Sequence, residues 1–332
     1  MTALTLLVGV LLILAVFTDA FRTVLLPTST APVTNVVARG LWRAARRVPA
    51  RHRPPALRSV GPTALVLTLV AWLAGLLVGF ALVYLPAVEG LAYSADVHFA
   101  DRGFPEALYL SGAALTTLGF GDVVGQSVTI RLLTFVEAAS GLGVLAATFG
   151  YLPAIYTIVS NLRSSNQTVA DLGADHAVGA AELLGAEATR VLDMIRLDVI
   201  AARQHLQRFP VLHYFHFSYD ESVVALARGG IGLWVAAHFA NDATRPLDLH
   251  VRALEMALRR LVDELPHRSS HTRPDLKEAR QVFERARAAS IHPDAAREGT
   301  IREDTVALLA HLCAVLDVYA GSHDYPVPKV RS

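Results

Sequence analysis

Residues 116–122 read Thr116-Thr117-Leu118-Gly119-Phe120-Gly121-Asp122, and they lie between two long apolar stretches. An L-residue backbone does not readily turn successive carbonyls to one side. Glycine takes positive φ with no Cβ clash, so glycines at alternate positions make that geometry accessible. Gly119 and Gly121 bracket Phe120, and Thr117 adds a hydroxyl at the inner end. A stack of oxygens built this way can replace the hydration shell of a cation.

The surroundings of this heptapeptide set its context. The chain has 332 residues, 53% hydrophobic and 18% charged, with a mean hydropathy of +0.41. That is too apolar for an ordinary soluble domain and too short for a many-span transporter. The apolar residues concentrate in the first half. Formal net charge is +1, so only local charge says anything about partners. The single cysteine, Cys313, excludes an intramolecular disulfide framework and a CxxC metal site. In its apolar helical stretch it reads as a small buried hydrophobe.

A membrane helix needs about 20 mostly apolar residues to cross a core of roughly 30 Å. Three segments meet this. They divide the chain into an N-terminal helix over 1–27, a basic linker over 28–60 and a two-helix apolar module over 61–160. Within the module the outer helix is expected over 61–88 and the inner helix over 131–160. Asp19 and Arg22 stand three apart near the end of the first helix and can pair. An amphipathic surface helix is the alternative for this segment. A cleaved signal peptide fits poorly, because the basic residues follow the apolar run.

Arg39, Arg43, Arg46, Arg47, Arg51, Arg53 and Arg58 crowd the linker, with no acid between Pro27 and Val88. By the positive-inside rule this loop is cytoplasmic, so the N-terminus is outside and the third helix runs back in. The loop between the second and third helices, with Glu89, Asp96, Asp101 and Glu106, then faces outside, and residues 116–122 lie at its end. The Arg39–Arg58 cluster reads as a topogenic loop that touches anionic headgroups, with an interfacial helix around Val36–Val48 anchored by Trp42. Nucleic-acid binding is a poor reading of a cluster pinned beside a membrane.

Phe104–Leu115 reads as a short apolar helix with Pro105 in its first turn, too short to span. Non-helical backbone after it is tolerated at membrane depth only where it lines a water-filled path. Together these features resemble the potassium-channel pore family, with Leu118 and Phe120 where the family's filter sequence TVGYG has valine and tyrosine. The resemblance implies an all-α membrane protein with a pore helix over 104–115 and a filter over 116–122. It implies K+ held at the carbonyls of Thr117, Leu118, Gly119, Phe120 and Gly121, with no other cofactor. Thr116, Asp122 and Tyr109 are the implied supports of the filter. Some family members pair the acid after the filter with a pore-helix glutamate; Ala113 stands there, so Asp122 is left with Tyr109 or a backbone amide.

On the inner helix, Gly141 occupies the place where the family often has a hinge glycine, with Gly143 two residues on. Glycine permits a bend, and it equally permits close helix packing. Glu137, inside a span, is a functional candidate behind or below the filter. It can accept bonds from the pore helix or add negative field for a cation; a protonated structural acid is the competing reading. One filter segment per chain and no internal repeat imply a homotetramer.

From about Asn161 apolar residues at helical spacing alternate with charge. Helices are expected near 168–208, 220–241, 247–265, 273–290 and 300–320, broken by Pro210, Pro246, Pro266 and Pro293. They form a cytoplasmic helical domain over 161–325, followed by a tail over 326–332. Val223–Ala240 is too short for a comfortable span. His213 and His216 lack further ligands nearby and read as aromatic packing at a helix junction. There is no nucleophile–base pair, metal-spaced cluster or phosphate loop, and so no enzyme is expected. The expected function is passive K+ conduction in the plasma membrane, regulated through the helical domain. A non-conducting membrane sensor or scaffold and a weakly selective cation channel are the alternatives.

Overall fold

A computed structural model describes residues 2–24, 26, 31–93, 103–171, 188–214, 222–239, 248–265, 274–288 and 302–322. The chain divides into two compact units, Met1–Ile155 and Tyr156–Ser332. Among the described residues all regular structure is helical apart from two three-residue strands. Asp96, Asp101, His216, Pro246, Pro266, Pro293 and residues 326–332 lie outside the described residues.

In the first unit, α1 (Thr2–Val24) packs along α3 (Arg53–Tyr84), and α2 (Pro32–Arg47) also packs on α3. The close approach of α1 and α3 depends on small residues. A Cβ on Gly9 would lie 2.6 Å from the carbonyl oxygen of Gly79. Gly75 and Gly79 form a small-xxx-small pair of the kind that lets membrane helices touch at the backbone. Asp19 is 1% exposed. Its Oδ2 accepts from Trp72 Nε1 at 2.9 Å and its Oδ1 from the Val33 amide at 2.9 Å. The carboxylate ties the end of α1 to both α2 and α3. On α2 the buried Thr34, Ala38 and Ala45 alternate with exposed Arg39, Arg43, Arg46 and Arg47, an amphipathic pattern.

Several boundaries differ from the sequence reading. The outer helix starts at Arg53, eight residues before Gly61, because Pro54 and Pro55 suit a first helical turn. It ends at Tyr84, where a 3₁₀ segment, Leu85–Gly90, takes over. α4 is Phe104–Leu115. α5 runs Val128–Asp171, well beyond residue 160. The change from apolar to polar composition near Asn161 marks a change of surroundings, not a helix end. Strand β1 (Leu91–Tyr93) pairs antiparallel with β2 (Val123–Gly125), so that Leu91 faces Gly125 and Tyr93 faces Val123. This ladder, too short for a period-2 pattern to reveal, fastens the chain leaving the heptapeptide to the end of the outer helix.

Three helices, Ala3–Val24, Pro55–Gly90 and Val128–Asp171, are long and apolar enough to cross a membrane, and so is Glu303–Ser322. The fourth was not among the segments expected from sequence. Half of its apolar window is buried, against helices of the second unit.

That second unit contains α6 (Ala188–Arg208), α7 (Val223–Ala237), α8 (Asp248–Glu264), α9 (Leu276–Ala288) and α10 (Glu303–Ser322). α7 is the core: Leu226, Leu233 and Trp234 are fully buried, and α6, α8, α9 and α10 all pack on it. Its 15 residues are too few to span. Ser222 caps its start, accepting from the Ala225 amide at 3.2 Å. Trp234 meets Phe283 edge-on with ring centroids 5.9 Å apart. Arg228 pairs with Asp317 of α10. Burial pushes the Cys313 thiol up to about 12, so it packs as an unreactive thiol. A Cβ on Gly229 would lie 1.9 Å from Val169 Cγ1. Valine has little rotameric freedom on a helix, so Gly229→Ala is expected to cost about 1–3 kcal/mol through overpacking. Thermal unfolding should show the loss, and Val169→Ala in the same chain should recover part of it.

Candidate ion pore

The heptapeptide begins at the C-terminal end of α4. The Thr116 amide donates to Gly112 O at 3.1 Å, the Thr117 amide to Ala114 O at 3.0 Å and the Gly119 amide to Ala113 O at 3.3 Å. In a trans peptide the N–H and the preceding C=O point in opposite directions. Two amides aimed at the pore helix therefore turn the carbonyls of Thr116 and Leu118 away from it. Thr117, Gly119 and Gly121 have φ of 56°, 51° and 77°. Positive φ at every second residue alternates the peptide planes so that these carbonyls share a side. Thr117 is the one non-glycine residue with positive φ among the described residues. Its strain, of order 1–2 kcal/mol, was not foreseen from sequence, where only the glycines signal the geometry. The side chains of Leu118 and Phe120 are 62% and 67% exposed in the single chain.

Behind this loop, Asp122 accepts from Tyr109 Oη at 2.5 Å and from the Val123 amide at 3.0 Å. Both partners left open by the sequence are thus engaged. Thr116 Oγ1 donates to Gly112 O at 2.6 Å. Glu137, on α5, is fully buried. Its Oε2 accepts from Tyr84 Oη at 2.8 Å, and its Oε1 meets Ser111 Oγ of α4. Ser111 Oγ also lies 2.8 Å from Leu77 O. One acid therefore joins the outer helix, the pore helix and the inner helix.

The short helix α4 and the loop after it thus lie between two long apolar helices, α3 and α5. Residues 67–157 match a family model described as "Ion channel". This segment is an ion-channel module of the two-helix, potassium-channel-like pore family. Over most of its length the chain is similar to an uncharacterized membrane protein, YdjJ, of Bacillus subtilis (strain 168). The two are 26% identical over 289 residues, which covers 82% of this chain and 83% of that one. No solved structure gives a significant match.

In the ion-channel module the two inner-helix glycines differ. A Cβ on Gly141 would lie 2.3 Å from Leu115 O, whereas one on Gly143 would meet nothing within 4 Å. Gly141 is thus the point where the inner helix touches the end of the pore helix. Glu106, grouped from sequence with the acids of the outward-facing loop, is fully buried in the first turn of α4. Glu89 is exposed. Sequence reasoning missed Tyr84, Ser111 and Trp72. Each is a polar group in an apolar stretch, a signal that could have marked them as partners for Glu137 and Asp19.

Tyr109 and Asp122 form a side-chain brace between α4 and the heptapeptide. Tyr109→Phe is expected to leave initial ion flux in place and to hasten its decline during sustained conduction. A flux time course in liposomes measures both.

Proposed function

We propose that this chain is the subunit of a potassium-selective channel that assembles as a homotetramer and conducts K+ passively. The observation that carries the reading is the alternation of positive φ at Thr117, Gly119 and Gly121, with the Thr117 and Gly119 amides tied to the pore helix. That backbone offers a row of carbonyl oxygens and no side-chain charge, the chemistry that replaces a hydration shell. The exposed Leu118 and Phe120 support assembly, since apolar side chains beside a conduction path call for cover by neighbouring copies. K+ is the conducted ion, held at the carbonyls of residues 117–121, and no further cofactor or enzymatic activity is invoked.

The basic loop at Arg39–Arg58 supports placement in the cell membrane with the N-terminus outside and the second unit in the cytoplasm. The exposed arginines of α2 suit anionic headgroups. The cytoplasmic helical unit regulates or stabilises the channel.

Reconstitution into potassium-loaded liposomes tests the reading. Flux should appear with the wild-type chain and vanish with Gly119→Ala, because alanine resists φ of 51° at that position. Absence of wild-type flux favours a sensor or scaffold. A reversal potential near zero in mixed sodium and potassium favours a weakly selective cation channel.

A further inference from the structure

The second unit contains a cavity of about 410 Å³, within the range of small-molecule sites. One wall is a face of α5: Ile158, Leu162, Ser165 and Thr168 recur at helical spacing. The facing wall is α6, with Met194, Asp198, Ala201 and His205 on one stripe. The walls are largely aliphatic, with Ser165, Thr168, Asp198 and His205 among the lining residues.

Asp198 is the acid in the cavity wall. Burial raises its carboxyl above the ordinary aspartate range, and the opposing influence is the Ser165 hydroxyl. That hydroxyl has one proton, and it already lies 3.1 Å from Asn161 O as a donor. No cationic side chain accompanies Asp198 among the described residues. His205 supplies no countercharge, since burial and the neighbouring Arg208 lower its imidazole. A half-buried carboxyl that lines a largely aliphatic cavity, without a cationic side chain beside it, matches an ammonium group on an apolar body, which would provide a charge-assisted donor for the acid and surface for the walls.

We propose that the cavity between α5 and α6 binds a small apolar amine, with its ammonium on Asp198 and its body against Ile158, Leu162, Met194 and Ala201. The proposal concerns binding and stands independently of ion conduction.

The test uses the full chain in nanodiscs of zwitterionic lipid, with empty nanodiscs subtracted. 1-Naphthylmethylamine and its neutral counterpart 1-naphthylmethanol are titrated by calorimetry. The amine should bind saturably, one per chain, and at least about tenfold more tightly than the alcohol. Asp198→Asn, isosteric and uncharged, should abolish the difference between the two. Ala201→Phe, which fills the cavity, should abolish both, with thermal unfolding reporting that each variant is folded. Non-saturable amine binding, equal affinity for amine and alcohol, or amine binding unchanged by Asp198→Asn would each overturn the proposal.

Discussion

Gly141→Ala is expected to abolish ion flux, and Gly143→Ala to preserve it. The two positions lie two residues apart on the same helix and would gain the same methyl group. They differ in what that methyl meets. At Gly141 it would lie 2.3 Å from Leu115 O and 3.0 Å from Leu115 Cδ1. An ordinary carbon–oxygen contact is about 3.3 Å or longer, so the helix or the end of the pore helix must move by about 1 Å. The clash is with a main-chain oxygen, and no rotamer change relieves it. Leu115 is the last residue of the pore helix, and Thr116 and Thr117 hang from the same helical end through their amides. The displacement therefore passes directly into the carbonyl row. At Gly143 nothing stands within 4 Å, and alanine raises helix propensity by about 1 kcal/mol.

Thermal unfolding separates this contact from a hinge. A packing clash of about 1–3 kcal/mol lowers the unfolding midpoint of Gly141→Ala together with its flux. A lost hinge reduces flux while leaving the midpoint equal or higher. Flux in Gly141→Ala matching wild type would sink both accounts.

The short helix α4 and the positive-φ glycines after it were legible because their information is local. Two glycines with one residue between them encode a backbone conformation, and Pro105 marks a first turn. Most of the second unit's helices were legible for the same reason, through apolar period and breakers, although the helix expected near 168–208 takes in the end of α5 as well as α6. The contacts that hold these parts together were not. Trp72 reaches Asp19, and Tyr84 reaches Glu137, each across 53 residues. Spacing along a chain says nothing of such pairs until the helices are docked. The α5 boundary failed for a different reason. Hydropathy reports where lipid ends, while the helix ends where backbone geometry ends, and Pro153 inside α5 did not stop it. The β1–β2 ladder failed because three residues are too few to carry a period.

Glu137 offers the sharpest decision between a charge and a joint. Ser111 Oγ has one proton and two acceptors in reach, Leu77 O and Glu137 Oε1. The count closes when Ser111 donates to Leu77 O and a proton on Oε1 donates to Ser111 Oγ, while Tyr84 donates to Oε2. Every polar group is then satisfied with no net charge in a buried site. A glutamine reproduces that pattern, its amide nitrogen donating to Ser111 and its oxygen accepting from Tyr84. Glu137→Gln is therefore expected to retain flux and unfolding midpoint. Glu137→Ala orphans the Tyr84 hydroxyl at about 1–3 kcal/mol and adds a cavity where three helices meet. Its midpoint should fall by several degrees, about 2–4 °C for each kcal/mol lost, and its flux should be lost as the pore helix loosens. Tyr84→Phe should fall between them. If the acid instead served the ion through its negative field, Glu137→Gln would remove that field and keep the joint. Flux would then drop while the midpoint held, and the joint would not be what conduction requires of Glu137.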